Sequence, residues 1–388
     1  MIGRLNGPLI FVAIIFLFGF IVIYTSQSNE RTRLRILQKE TRNRFQSPTS
    51  EVKTSNTEPR LNVILLTFMS SGSTVVGNIF NLHPDVFYIY EPLHALRRIV
   101  YGDEWRVLNK SQNDAFRKDF STLVRDLFTC GFQENRTIEL VFPRWERKHN
   151  QWYNKSTPLT KESLRKACNA RRITVTKIMQ TRLPREIGIA ELEQVCRSDP
   201  SKFDCLIVHL VRDPRAVLSS VIKRQIIGES ARSLSPQGIA SLKNNARLLC
   251  SLVSENLEYV KTEWSNWFKS RYILVRYEDA ISDMSKAVYD MYKCIGLPMV
   301  ETTAHWIEGA PPSGRIHVSG MLISNTDIAT IDNWRFRENS SRVSTCEEAC
   351  GPLMEAIGYI SINGSENLQH NKSKALRIPN IPFLRGLR

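Results

Sequence analysis

The chain has 388 residues, of which 42% are hydrophobic and 23% charged, and a formal net charge of +15. That hydrophobic content excludes a chain disordered throughout, and the length suffices for one large domain or two smaller ones. Residues 1–60 carry +5 of the charge and residues 61–388 carry +10, so the globular part is itself basic and suits a polyanionic partner. Nucleic acid, acidic polysaccharide and a multiply phosphorylated small molecule all qualify.

No charged residue lies between Arg4 and Glu30, and Pro8 to Tyr24 is almost wholly apolar. About 20 apolar residues span a bilayer, so the segment reads as a transmembrane anchor at 8–25 after a short tail at 1–7. A cleaved signal peptide is the competing reading, but the apolar run is long for one and no clear A-x-A site follows. Residues 26–60 are polar and lack apolar periodicity, as in a flexible stem. Six Lys/Arg follow the anchor, a local bias toward keeping that side cytosolic, although long domains translocate largely regardless of charge. The cysteines favour the opposite side. There are eight, at 130, 168, 196, 205, 250, 294, 346 and 350. None has paired C-x-x-C spacing, and an even count fits disulfides in an oxidising compartment without giving their pairing. Sequons at Asn109, Asn135, Asn154, Asn339, Asn363 and Asn371 support a luminal domain.

The globular part opens on LNVILLTFMSSGSTVVGNIFNLHPDVFYIYE, residues 61–91. An apolar run, Val63 to Leu66, reads as a buried strand. The small residues Ser70, Ser71, Gly72, Ser73 and Thr74 form a loop, and Val75 to Leu82 a helix. This arrangement turns backbone N–H groups toward a phosphate at a helix N-terminus. Gly72 and Gly77 have G-x-x-x-x-G spacing, but Asn78-Ile79 replaces the Lys-Ser/Thr of a nucleotide triphosphatase. The loop therefore suits a phosphate held without metal. A second apolar run, Val86 to Tyr90, ends on Glu91.

A helix is predicted from Gln112 to Phe128, within a mixed stretch at 97–170 that could shape an acceptor cleft. RITVTKI at 172–178 is a strand with Lys177 near its end, and Ile187 to Cys196 is helical. CLIVHLV at 205–211 is a strong candidate for a buried parallel strand. Arg212-Asp213-Pro214-Arg215 follows, with Pro214 suited to the first turn of a helix reaching Arg224. A long helix from about Pro236 to Lys269 precedes a strand at Tyr272–Val275. A helix then runs to Cys294, residues 300–338 are irregular, and 340–357 are helical. The segment after Asn363 reads as a disordered tail. Alternating strands and helices predict a three-layer α/β domain with a central parallel sheet. Its two strand-end turns, one small and one basic, meet at the edge where such folds bind ligands, which fits a ligand with two separated phosphates.

Several motifs carry a resemblance to a family. SSGSTVVGNIFN…VFYIYEPL resembles the 5′-phosphosulfate loop of the Golgi carbohydrate 6-O-sulfotransferases, usually RSGSSFVGELFN…VFYLFEPL. VHLVRDPRAVLSSVI resembles their 3′-phosphate motif, VRYEDAI their VRYEDLA segment, and DNWR a C-terminal Trp-Arg. The resemblance covers about residues 61–360, leaving a polar basic tail at 361–388. It implies a P-loop sulfotransferase-type fold and 3′-phosphoadenosine 5′-phosphosulfate as co-substrate. It also implies a type II Golgi membrane protein with a luminal catalytic domain and sulfate transfer to a 6-hydroxyl of galactose, N-acetylgalactosamine or N-acetylglucosamine in a glycan or glycosaminoglycan. No metal, no nucleic-acid partner and either a monomer or a homo-oligomer belong to this reading.

By position, Arg212 and Ser220 would hold the 3′-phosphate, and Ser70, Ser71, Gly72, Ser73, Thr74 and Val75 would cradle the 5′-phosphosulfate. Glu91 would be the general base, Lys177 would stabilise charge on the departing oxygen, and Trp334 and Arg335 would close over the nucleotide. Two departures bear on activity. Ser70 stands where the family has arginine, and so does Gln180, three residues after Lys177. The alternatives are an inactive relative that binds glycan or nucleotide, an NTP-dependent kinase, which the absent Walker lysine disfavours, and a nucleic-acid binder, which the anchor and sequons disfavour.

Overall fold

The computed structural model describes residues 59–385 except 103–106, 133–134, 144–146, 154–155, 157, 227–232, 265 and 308–330. The expected anchor at 8–25 and nearly all of the stem lie outside the described residues. Among the described residues, no helix is long and apolar enough to cross a membrane. The described residues fall into two units, one of which contributes only 292–299. The other, 57–291 with 300–388, holds the sheet and is described below.

Five strands form the sheet: β1 (Arg60–Thr67), β2 (Val86–Ile89), β3 (Ile173–Met179), β4 (Phe203–Val211) and β5 (Tyr272–Arg276). Their order is β2-β3-β1-β4-β5, and every pair is parallel. In β1 the consecutive residues Val63 to Thr67 are all buried. Successive side chains point to opposite faces, so both faces of the sheet are covered, the three-layer arrangement expected of an apolar parallel strand. Helix α1 (Ser73–Asn81) follows β1, and α2 (Lys110–Thr129) buries Phe116, Phe120, Val124, Leu127 and Phe128 along one face. Helices α3 (Ile189–Cys196), α4 (Pro214–Lys223) and α5 (Pro236–Thr262) flank β4 in the chain, with α6 (Tyr277–Ser282) and α7 (Met284–Ile295) after β5. Helix α8 (Ser340–Ala356) packs along α5.

The cysteines pair as Cys130–Cys168, Cys196–Cys205 and Cys250–Cys350, leaving Cys294 and Cys346 as thiols. The last bridge ties α5 to α8.

Three expectations need correction. Residues 300–338 are not irregular throughout: Glu301–Ile307 is a helix that buries Thr303 and Trp306 on one face, and Trp334–Arg337 is a helical turn. The helix from Pro236 ends at Thr262, and a separate short helix, Asn266–Arg271, leads into β5. A continuous helix would carry Phe268 about 13 Å along the axis from Tyr259. Instead their rings lie 6.1 Å apart, and Phe268 also meets Tyr272. The chain beyond Asn363 is not a disordered tail. It forms a helical turn at Glu366–His370, and Tyr359 bridges Arg377. Its polar sequence hides the reason: the buried Arg335 guanidinium donates to the carbonyls of Leu368, Gln369, Asn371 and Lys374.

Candidate active site

Most site features lie at or just beyond the carboxyl ends of the parallel strands, β1, β2, β3 and β4, with Tyr277 after β5 and Trp334 and Arg337 from a helical turn near the C-terminus. The loop after β1 enters α1 through Gly72, its N-cap, at φ 80°. First-turn amides of a helix have no intrahelical acceptor, and no side chain caps this one or places an acid in its first turn. The positive end of the helix is therefore available to an anion. Glycine is required at 72 for a second reason. A Cβ there would lie 2.0 Å from the Tyr277 ring. Ser70 also has positive φ, 60°, and its hydroxyl is buried with no hydrogen-bond partner among the described residues.

These residues line a cavity of about 510 Å³, within the range of small-molecule sites. Ser70, Gly72, Ser73, Thr74 and Val75 all line it. Ser71 does not. It is buried at 1% exposure beneath the loop, so its hydroxyl is not among the donors facing the cavity.

Glu91 and Lys177 come together through strand register. Ile89 pairs with Thr176, so the chain just beyond β2, Tyr90 and then Glu91, runs alongside Lys177. Lys177 Nζ lies 2.9 Å from Glu91 Oε1, with 1% and 9% of their side chains exposed. Arg182 Nη2 lies 3.4 Å from the other carboxylate oxygen. Burial alone would raise the Glu91 pKa, but Lys177 and Arg182 outweigh it and push it down to about 2. The Lys177 ammonium also sits 4.0 Å from the centre of the Tyr90 ring. Glu91 itself has φ 42°, a strained value for a non-glycine residue.

Arg182 was not among the residues singled out from the sequence. Its signal was there, a second cation five residues after Lys177, at the end of the same strand. Gln180, where the family arginine is absent, faces the core: it donates to the Ile187 carbonyl and accepts from Asn256.

A further part of the cavity wall is built on the β4–α4 turn. Arg212 Nη1 donates to the Ser70 carbonyl at 2.9 Å, and its guanidinium stacks 4.6 Å from the centre of the Tyr277 ring. Ser220, two turns into α4, lines the same cavity, as do Lys223, Arg224 and Arg337. Among the described residues, six basic side chains and one carboxylate, Glu91, face this space. Asp213 caps α4 and pairs with Arg215, which also pairs with Glu347. The Arg215 guanidinium in turn lies 4.3 Å from the Trp334 ring, which closes one wall. Arg335 is a correction: it is 1% exposed, clamps the C-terminal carbonyls and does not line the cavity. In the helical turn Trp334–Arg337, residues three apart share a face, so Arg337 lines the cavity with Trp334 while Arg335 turns away, and Arg337 Nη1 lies 3.5 Å from Ser219 Oγ. Among the described residues no cluster of His, Cys, Asp and Glu could hold a metal ion.

A family model described as "Sulfotransferase family" matches residues 204–301, which include Arg212, Ser220 and Tyr277. Carbohydrate sulfotransferase 1 of Danio rerio is 25% identical over 374 residues, 85% of this chain and 85% of the relative. Carbohydrate sulfotransferase 3 of Homo sapiens is 25% identical over 333 residues, 78% of this chain and 67% of the relative. The chain is thus similar to carbohydrate sulfotransferases over most of its length. The expectation of a sulfotransferase enzyme stands on that similarity and on the domain match. Among solved structures, the sulfotransferase domain of the Synechococcus PCC 7002 olefin synthase overlaps 77% of this chain and 98% of its own, at 17% identity and TM-score 0.39.

Against the usual form of the carbohydrate sulfotransferases, the charge missing at Ser70 has no replacement within its own loop. Arg182 and Arg337 add cations elsewhere on the cavity wall.

Proposed function

We propose that the chain transfers sulfate from 3′-phosphoadenosine 5′-phosphosulfate to a 6-hydroxyl of galactose, N-acetylgalactosamine or N-acetylglucosamine in a glycan. The observation that carries this reading is one cavity lined both by the α1 N-terminus and by Arg212 and Ser220. The donor set fits a nucleotide with separated 3′ and 5′ charges. Uncapped helix amides and the partnerless Ser70 hydroxyl suit the 5′ end, and a guanidinium suits a phosphate dianion. When bound, the donor supplies a sulfuryl group on a good leaving group.

The protein's own groups do the rest. Arg212 and Ser220 hold the 3′-phosphate, and the amides of the 72–74 turn hold the 5′ end. Lys177 stabilises charge on the oxygen that departs. Glu91 takes the proton of the attacking sugar hydroxyl. Lodged between Lys177 and Arg182, its carboxylate is ionised but weakly basic. An anion at the loop competes with Glu91 for Lys177, and a Glu91 relieved of that ammonium is the stronger base. Anchoring in the Golgi membrane, with this domain luminal, belongs to the same reading and draws on the three disulfides.

A second reading is a relative that binds glycan or nucleotide without turnover. The neutralised Glu91 and the missing cation at Ser70 favour it. The test is the full chain made in a secretory host, with radiolabelled phosphosulfate donor, EDTA and desulfated chondroitin, keratan and N-acetylglucosamine-terminated glycans. Transfer to one acceptor despite EDTA, at the 6-hydroxyl by NMR, is the expected result. Binding of adenosine 3′,5′-bisphosphate without transfer establishes the second reading, and no binding of it overturns both.

A further inference from the structure

The mechanism above leaves Glu278 without a task, although this side chain is buried at 2% exposure directly behind the 3′-phosphate arginine. It is the second residue of α6, where the chain leaves β5. Its Oε1 accepts from the Asp213 amide at 3.1 Å and lies 3.9 Å from Arg212 Nε. Its Oε2 accepts from the Tyr359 hydroxyl at 2.5 Å. The neighbouring Tyr277 ring lies under the Arg212 guanidinium and against Gly72. One dipeptide thus touches both anion-binding loops. An arginine chain has several rotatable bonds and loses substantial rotamer entropy when fixed. Here its guanidinium is bounded by a ring face, a carboxylate and the Ser70 carbonyl before any ligand arrives.

We infer that Glu278 is a positioning residue for Arg212: it fixes the turn at Asp213 and the guanidinium so that the 3′-phosphate site is preformed at a set distance from the 5′ loop. The inference rests on the donor reading given under Proposed function. It separates shape from charge. A carboxylate acting through charge alone would weaken phosphate binding, and its removal would strengthen it. A carboxylate acting through position does the reverse.

The test uses the full chain and two nucleotides, adenosine 3′,5′-bisphosphate and adenosine 5′-monophosphate, which lacks the group that Arg212 holds. The readout is the ratio of their dissociation constants by calorimetry. Glu278→Ala removes both acceptors and is expected to cut the preference for the bisphosphate roughly tenfold, the scale of one misplaced charged hydrogen bond, with the monophosphate unchanged. Glu278→Gln keeps the shape and an acceptor for Asp213, and is expected to retain the preference. If Glu278→Ala does not fold, Tyr359→Phe frees Oε2 and is expected to lower the same ratio by a smaller factor. A ratio that rises in Glu278→Ala overturns the inference, as does equal weakening of both nucleotides, the mark of general loosening. A wild type that holds the two nucleotides equally overturns the donor reading itself.

Discussion

Replacing Glu91 with glutamine isolates its charge. The strained φ of 42° is equally awkward for either residue, and the amide keeps an oxygen for Lys177. What is lost is a negative charge between two cations. The carboxyl pKa falls from 4.5 to about 2 in the folded protein, which at 1.36 kcal/mol per unit amounts to about 3 kcal/mol of stability. That lowered value already includes the cost of burying the charge, so E91Q is expected to cost about 3 kcal/mol in urea unfolding. Turnover is expected to fall about 10²- to 10⁴-fold, the usual contribution of a general base. The assay measures the sulfate transfer rate at saturating donor and acceptor, beside affinity for adenosine 3′,5′-bisphosphate. That affinity is expected to hold or tighten, because Lys177 no longer serves two anions. A folded E91Q that keeps more than about a tenth of wild-type turnover would refute the assignment of the base. Loss of nucleotide binding would show that the carboxylate organises the donor site instead.

Other outcomes follow from the same geometry. A carboxyl whose pKa is lowered on folding contributes stability above its unfolded pKa, near 4.5, and loses it as pH falls toward 2. The wild type is therefore expected to lose urea resistance faster than E91Q between pH 4.5 and pH 3, and parallel slopes would contradict the ion-pair account. The Cys250–Cys350 bridge spans 100 residues and Cys196–Cys205 only 9. By chain entropy, C250A/C350A is expected to lose about 4–5 kcal/mol and C196A/C205A about 2–3 kcal/mol, and the reverse order in chemical denaturation would sink that reasoning. R335A leaves four tail carbonyls without their donor and is expected to cost at least about 3 kcal/mol. Limited trypsin digestion is then expected to cut at Lys372 and Lys374, and a tail as protected as in the wild type would count against the clamp.

The anion loop was legible because its signals are local. An apolar run, a cluster of small residues around Gly72 and a helix-like segment are all written within about twenty residues, and the basic turn after β4 is written in four. The parallel sheet was legible for the same reason: strands buried on both faces are nearly continuous apolar runs. Arg182 and Arg337 were harder, because which residue of a short helical turn faces a cavity depends on where the turn docks. The sequence drew attention to Trp334-Arg335 together, and the two side chains separate.

By itself, then, the sequence determined the alternation of strands and helices, the two strand-end turns, one small and one basic, and the resemblance they carry. Those follow from backbone propensity and burial, which act over short spans. Only the tertiary structure decided that Lys177 and Arg182 neutralise Glu91, that Tyr277 requires a glycine at 72, and that Arg335 anchors the C-terminal segment. Each of these joins residues some 30 to 200 positions apart. Their energies come from desolvated charge and close contact, and both depend on distances that exist only once the sheet is assembled.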